Sequence, residues 1–405
     1  MDLSPVILSI PVYFILISFE LIYTLLKRAD YYRFSDAVTN ISCGVGDQLI
    51  GVFAKVFTIG IYQFIYENFR VFDIENTILS FVIVFILADF LYYWSHRLSH
   101  EVNFLWAGHV VHHQSEEYNL SVALRQSWFH KFFTFAFYLP LAFMGFDTIA
   151  FIWANGLNLL YQFWIHTEMV GKMGFLENFM NTPSHHRVHH GRNPEYIDRN
   201  HAGVFIIWDK IFGTFEPEKI TPVYGITTPV NSWNPVWVNV MPWTRISNEI
   251  KMMKSFKDKI KVIYKPPGWR PLAQGGTMKI PEVNRESYLK FKTVAPRTLN
   301  FYIFVQYAIA IGATAFFLFQ QANFNNEQRI LGASLIFLSI MNLGMMLERK
   351  RWSFILEFFR IIFTLLFIAY SFHELPIFKT ILLSTSGIAF ISLFWLITLS
   401  KYFKK

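Results

Sequence analysis

Eleven of the thirteen histidines lie between His96 and His190, and eight of them fall into three groups: His96/His100, His109/His112/His113 and His186/His189/His190. A neutral imidazole is among the commonest metal donors in proteins. Residues three and four apart stack on one helix face, so each group is expected to aim its rings at one point. Eight donors exceed the needs of one ion, since structural zinc takes about four ligands and catalytic zinc about three from the protein. Two six-coordinate iron ions, with positions left for dioxygen as co-substrate, absorb eight or nine imidazoles. A lone pair such as His96/His100 reads more readily as polar interface residues at the end of a membrane span. Three groups inside a hundred residues favour two iron ions.

Other residues extend the reading. His166 ends an apolar hairpin where the chain returns to the face carrying the groups, which makes it the expected ninth ligand. On a helix His185 points about 100° away from His186, so it suits a supporting position rather than a ligand position. His130 and His201 read as surface or packing residues. Thr182 followed by Pro183 marks a helix start that places the third group on the helix after it. Ligating imidazoles usually give their other nitrogen to a carboxylate or carbonyl. The expected partners are Asp89, seven residues before His96 inside an apolar run, with Glu101, Asp198 and Asp209. An intramembrane carboxylate is costly, which marks Asp89 as a catalytic candidate; the competing reading is a hydrogen bond to a neighbouring helix. Asn155 and Asn158 read as helix-to-helix contacts.

The elements that must position these residues are membrane helices. The 405-residue chain is 53% hydrophobic, 19% aromatic and only 16% charged, too apolar for a soluble protein of this length. Apolar runs long enough to cross a bilayer, about 20 residues each, fall at 5–26, 45–66, 77–95, 299–321, 329–347, 353–371 and 376–399. Residues 132–165 add a hairpin broken by Pro140 and by the turn Gly145-Phe146-Asp147, which either crosses twice or dips in and returns. The expected fold is an all-α integral membrane protein, a multi-span helical bundle with a histidine-rich di-metal site on its cytoplasmic side. The first run lacks the basic start and small-residue site of a cleaved signal peptide. The only cysteine, Cys43, sits in an apolar segment, so no intramolecular disulfide forms.

Positive residues orient the bundle. Lys27 and Arg28, Arg97 to Lys131, Lys210 to Arg297, Lys350/Arg351 and Lys401/Lys404/Lys405 fall on one side, which the positive-inside rule makes cytoplasmic. That side carries the histidine groups and residues 166–298, in a bacterial inner membrane or an endoplasmic reticulum. The net charge of +8 then belongs to loops and lipid headgroups, not to nucleic acid. The chain divides into a membrane catalytic domain (1–213), a proline- and lysine-rich cytoplasmic linker (214–298) and a C-terminal four-helix membrane domain (299–405) with no chemistry of its own in the sequence.

The stretches DFLYYWSHRLSHEVNFLWAGHVVHHQSEEYNLSVALRQS (Asp89 to Ser127) and PSHHRVHHGRNPEYIDRNHAGVFIIWDKIFGTF (Pro183 to Phe215) resemble the fatty acid hydroxylase and sterol desaturase superfamily. They are most similar to its branch that acts on alkylglycerol ethers. The resemblance is specific over about residues 77 to 216, where the three histidine boxes of the superfamily map onto the three groups. It implies a non-haem di-iron enzyme that uses dioxygen to hydroxylate a lipid carbon next to an ether oxygen. The product collapses to aldehyde and glycerol, and tetrahydrobiopterin supplies electrons. It also places Glu101, beside the first box, on the pterin side as a cofactor-binding and catalytic candidate.

Elementary chemistry agrees. An unactivated C–H bond offers no acidic proton, so the reaction needs an oxygen-derived oxidant at bilayer depth. Aromatic residues such as Tyr92, Tyr93, Trp94, Trp106, Trp128, Trp153, Tyr161 and Trp164 either line an apolar slot for the lipid or serve as packing and interface anchors. The sequence holds no dinucleotide fingerprint, haem motif or iron–sulfur motif, so an external electron donor is required. Two alternatives remain at this point. One is a sterol, carotenoid or fatty acid hydroxylase or desaturase fed by a redox protein. The other is a metal transporter or sensor, disfavoured because transporter ligands sit near mid-bilayer.

Overall fold

The computed structural model describes residues 5–403; Lys404 and Lys405, counted above among the orienting charges, lie outside them. The regular elements of the described residues are all helices, with no strand and only an isolated bridge between Met180 and Phe205. Seven helices among them are long and apolar enough to cross a membrane. The principal elements are α1 (Ile10–Lys27), α2 (Phe34–Phe69), α3 (Ile78–Glu101), α4 (Asn103–His113), α5 (Thr148–Trp164), α6 (Pro183–His190) and α7 (Ile207–Phe212). They continue with α8 (Pro235–Met252), α9 (Phe256–Tyr264), α10 (Arg297–Gln320), α11 (Asn326–Leu347), α12 (Arg351–Phe372) and α13 (Phe378–Thr398). The seven apolar runs of the sequence correspond to α1, α2, α3 and α10 to α13. The chain separates into two compact units, Met1–Val230 with Val238–Lys290, and Asn231–Trp237 with Phe291–Lys405.

In the first unit, local chemistry sets the helix ends. Thr77 caps α3 through a reciprocal capping box with Ser80. Pro183 stands in the first turn of α6 and Thr182 is its N-cap residue, but the Thr182 hydroxyl points to Glu177 at 3.3 Å instead of capping the helix. The hairpin's first arm is an uneven helical run made of His130–Thr134, the tighter turn Phe135–Tyr138 and Leu139–Met144, with Pro140 in the first turn of the last piece. The three pieces together rise about 24 Å, short of the about 30 Å of a bilayer's hydrocarbon core, so the hairpin that dips and returns is the form these lengths fit. Its turn requires Gly145: φ is +99°, and a Cβ there would lie 1.9 Å from the Phe72 carbonyl. Tyr62 of α2, Val84 and Ala88 of α3, Leu141, Phe146 and Ala154 of α5 form the buried core around this hairpin.

The stretch read as a linker is more ordered than its composition predicts. It carries α8 and α9, which bury Val238, Ile246, Met253 and Val262. Lysines and prolines dominate its composition and hid these spaced apolar residues; Pro242 lies within α8.

In the second unit, α10 to α13 pack in sequential pairs. All four helices meet in a buried polar network. Arg360 and Glu357 of α12 form an ion pair at 2.6 Å, and Tyr302 of α10 and Asn342 of α11 donate to the same carboxylate. Gln306 of α10 links Arg360 to Ser392 of α13.

Candidate metal centre

Four segments of the first unit deliver the imidazoles: the end of α3, all of α4, the residues after α5, and α6. Nine buried histidines form two sets. His96, His100, His109, His113 and His189 make one, His112, His166, His186 and His190 the other, and within each set the donor atoms lie within 4.8 Å of one another. His166 therefore joins the second set. The three groups of the sequence do not each aim at one point, as spacing alone led us to expect. Residues four apart differ by about 40° around a helix and share a set, whereas neighbours differ by about 100°. His109 and His113 accordingly face the first set and His112 the second; His186 and His190 face the second and His189 the first.

Four of the nine rings are held from behind by backbone carbonyls. Nδ1 of His96 lies 2.7 Å from the His201 carbonyl, and that of His112 lies 3.1 Å from the Arg125 carbonyl. Nδ1 of His166 lies 2.7 Å from the Gln162 carbonyl and that of His189 lies 2.9 Å from the Arg199 carbonyl. A carbonyl only accepts, so these Nδ1 atoms carry the proton and Nε2 presents a bare lone pair. The Nε2 atoms then face one another at 3.0 Å for His96 and His109, 3.1 Å for His113 and His109, 3.1 Å for His166 and His112, and 3.0 Å for His186 and His166. The Nε2 atoms of His100, His189 and His190 are buried with no hydrogen-bond partner among the described residues.

The His112/His166 contact tests the fit to a metal. Both rings spend their proton on a carbonyl, so two lone pairs would oppose each other at 3.1 Å. An extra proton between them is opposed by burial, which pushes His112 down to about 4 and lowers His166 as well. A cation resolves the conflict. Two nitrogens each about 2.1 Å from one ion are about 3.0 Å apart at a right angle and about 3.4 Å apart at the tetrahedral angle. The observed separations of 3.0–3.1 Å let one ion take both nitrogens of each such pair. The residues fit two such ions.

The acidic candidates sit elsewhere. Asp89 is buried and accepts from the backbone N–H groups of Val204 (2.7 Å) and Phe205 (3.1 Å), the Trp208 indole (2.9 Å) and the Asn158 amide (2.7 Å). None of these is an imidazole; Asp89 ties the segment after His201, and α5 through Asn158, to α3. Glu101 pairs with Arg97 at 2.8 Å at the partly exposed end of α3. Asp198 lies 3.6 Å from His100 Nδ1, beyond hydrogen-bond reach, with its side chain 47% exposed. Asp209 acts at one remove: it accepts the backbone N–H groups of His201 and Ala202, both at 2.8 Å, and the His201 carbonyl holds His96. His185 stays outside both sets, with its ring against Phe215 and Nδ1 3.3 Å from the Met180 carbonyl. His130 meets Ser99 at 2.9 Å, with its ring 4.8 Å from that of His109.

Two supporting residues escaped sequence reasoning. His201, read as packing, supplies the carbonyl that orients His96 and lays its ring 5.0 Å from that of His100. Arg125 is buried and fans its guanidinium to the Val111 carbonyl (2.8 Å), Asn40 (2.9 Å) and Gln114 (2.9 Å), which holds its own carbonyl under His112. Its burial, which sets it apart from an ordinary surface arginine, is visible only in the fold. Of the aromatic residues, Trp106 lies 4.9 Å from the His100 ring and Tyr92 5.2 Å from the His96 ring, whereas Trp153 is exposed.

The fatty acid hydroxylase family model matches residues 81–214, the stretch that carries all nine imidazoles. Alkylglycerol monooxygenase of Homo sapiens is 39% identical over 354 residues, covering 86% of this chain and 79% of that protein. The protein of the same name from Danio rerio is 36% identical over 360 residues, covering 87% and 80%. The chain belongs to the alkylglycerol monooxygenase family. Ornithine lipid hydroxylase OlsE of Rhizobium tropici is a more distant relative, 28% identical over 152 residues, covering 37% of this chain and 46% of that one. No solved structure matches.

Proposed function

We propose that this oxygen-dependent lipid monooxygenase is a di-iron enzyme that hydroxylates the carbon next to the ether oxygen of an alkylglycerol. In the balanced reaction one oxygen atom of O2 enters the C–H bond and the other leaves as water, with two electrons from reduced tetrahydrobiopterin. The hemiacetal then loses its C–O bond to give a fatty aldehyde and glycerol. The observation that carries the metal reading is the His112/His166 contact, where two imidazoles turn bare Nε2 atoms to each other at 3.1 Å. The alkylglycerol reading rests on relatives of that name at 36–39% identity over most of the chain.

Bound iron, with dioxygen and an electron donor, would supply the oxidant that an unactivated C–H bond demands. The first ion falls to His96, His100, His109, His113 and His189, the second to His112, His166, His186 and His190. The protein contributes placement. The carbonyls of Arg125, Gln162, Arg199 and His201 fix the orientation of four rings, and burial of all nine histidines keeps bulk water from the oxidising centre. Glu101, at the partly exposed end of α3, is the residue assigned to the reductant side. Asp89 we assign to support of the site. The clustered positive charge of the loops supports a centre that faces the cytoplasm.

Iron-loaded protein in mild detergent, given a 1-O-alkylglycerol, oxygen and reduced tetrahydrobiopterin, is expected to form aldehyde, with two iron ions per chain by metal analysis. The ornithine lipid hydroxylase relative favours a second reading, hydroxylation of another lipid through a redox-protein donor. No aldehyde from iron-replete protein that oxidises another lipid would select it. Iron well below two per chain, with zinc transport into vesicles, would end both enzyme readings.

A further inference from the structure

Helix α9 lies outside the seven candidate spans yet presents an apolar face to its surroundings. Phe256, Ile260 and Tyr264 repeat every fourth residue along one side and are 78%, 43% and 51% exposed. Met252 just before it and Leu272 just after it are 55% and 93% exposed. The opposite side is anchored, with Val262 buried. Six lysines stand between positions 251 and 265, namely Lys251, Lys254, Lys257, Lys259, Lys261 and Lys265, against the one acid Asp258. Aromatic and aliphatic residues on one side of a short helix flanked by lysines form the pattern of a helix lying in a membrane interface.

The attachment of α9 sets its level. The Lys265 carbonyl accepts the backbone N–H of Asn103 at 3.0 Å, and the Val262 carbonyl accepts the Asn103 side chain at 3.1 Å. Asn103 follows the end of span α3 by two residues and begins α4, so the C-terminal end of α9 is pinned where a membrane helix leaves the bilayer. At that level exposed phenylalanine, isoleucine and tyrosine meet lipid rather than bulk water, and the ammonium groups beside them meet headgroups.

We propose that α9 is an interfacial helix that inserts Phe256, Ile260 and Tyr264 into the bilayer surface and binds anionic lipid headgroups through its lysines. The inference is independent of the metal and of the lipid that is oxidised. It gives the α4 end of the histidine centre a lipid-responsive anchor, because Asn103 opens the helix whose far end carries His109, His112 and His113.

The test uses the full-length protein in lipid discs with a nitroxide on Ile260→Cys; Cys43 is buried and does not compete for the label. In discs containing phosphatidylglycerol the label is expected to sit about 5–10 Å below the surface, collisionally accessible to oxygen and protected from an aqueous nickel complex. Combining Lys254→Glu and Lys257→Glu, or using phosphatidylcholine alone, should shift the label toward water, each lysine weakening attachment roughly fivefold. Metal content of the same samples reports whether the fold is intact. Nickel accessibility equal in both lipids with full metal content overturns insertion. Equal protection in both lipids that ignores lysine reversal overturns headgroup binding. Loss of metal content with the helix still inserted would count against the proposed centre and leave this inference standing.

Discussion

The split of one histidine box between two ions makes His109 and His112 opposites, though they are three residues apart on one helix. Alanine at His112 leaves His166, His186 and His190, three donors, around the second ion; alanine at His109 leaves four around the first. Removing a residue that merely orients a ligand weakens metal binding about 10- to 100-fold, and removing the ligand itself costs at least as much, about 1.4–2.7 kcal/mol or more. His112→Ala also strips the buried Arg125 carbonyl of its 3.1 Å imidazole donor, a penalty of about 1–3 kcal/mol. The expected result is selective. After equilibration against a graded chelator, His112→Ala retains one iron per chain, carried by the five-imidazole set. His109→Ala retains the four-imidazole ion and surrenders its weakened first ion only at higher chelator. The double variant loses both. Elemental analysis gives the stoichiometry, and Mössbauer spectroscopy distinguishes the survivors by their ligand sets. If His109→Ala and His112→Ala lose the same iron, with identical residual spectra, the partition into two sets is refuted.

Other substitutions separate support from chemistry. Asp89→Ala strands the backbone donors of Val204 and Phe205 and the Trp208 indole. It should lower stability by at least about 3 kcal/mol, read as an earlier thermal transition; an unchanged transition with abolished turnover would make Asp89 part of the chemistry. Glu101→Gln breaks only a partly exposed ion pair with Arg97, so stability should move by no more than about 1 kcal/mol. The KM for reduced pterin is expected to rise severalfold with iron content intact, and an unchanged KM removes Glu101 from that role. In the second unit, Glu357→Ala leaves Arg360 buried without its partner, which should cost about 3–5 kcal/mol. Replacing both by apolar residues should recover much of that loss, and calorimetry of the full chain checks the pair. A double replacement no better than the single would show that the rest of the network, not the unpaired charge, sets the cost.

Long apolar runs spoke for themselves, because a bilayer-crossing helix must satisfy its backbone internally and cover about 20 residues with apolar side chains. The seven helices of span length were therefore legible from composition alone, and so were the box histidines, whose spacing is a property of one helix. Tertiary structure decided everything that needed two segments at once. Which imidazoles of other segments His112 meets depends on how α4 is rotated against α6 and the end of α5, and 3.6-residue periodicity is silent on rotation. Asp89 looked catalytic because a carboxylate inside an apolar run is expensive; only the fold reveals the four donors that meet it. The carbonyls of Arg125, Gln162, Arg199 and His201 had no signal in the sequence, since every residue has a carbonyl and only chain geometry selects those that stand behind a ring. Side-chain chemistry and local period are written in the order of residues, whereas convergence of distant segments is a balance of packing and hydrogen bonding that emerges only once the chain is folded.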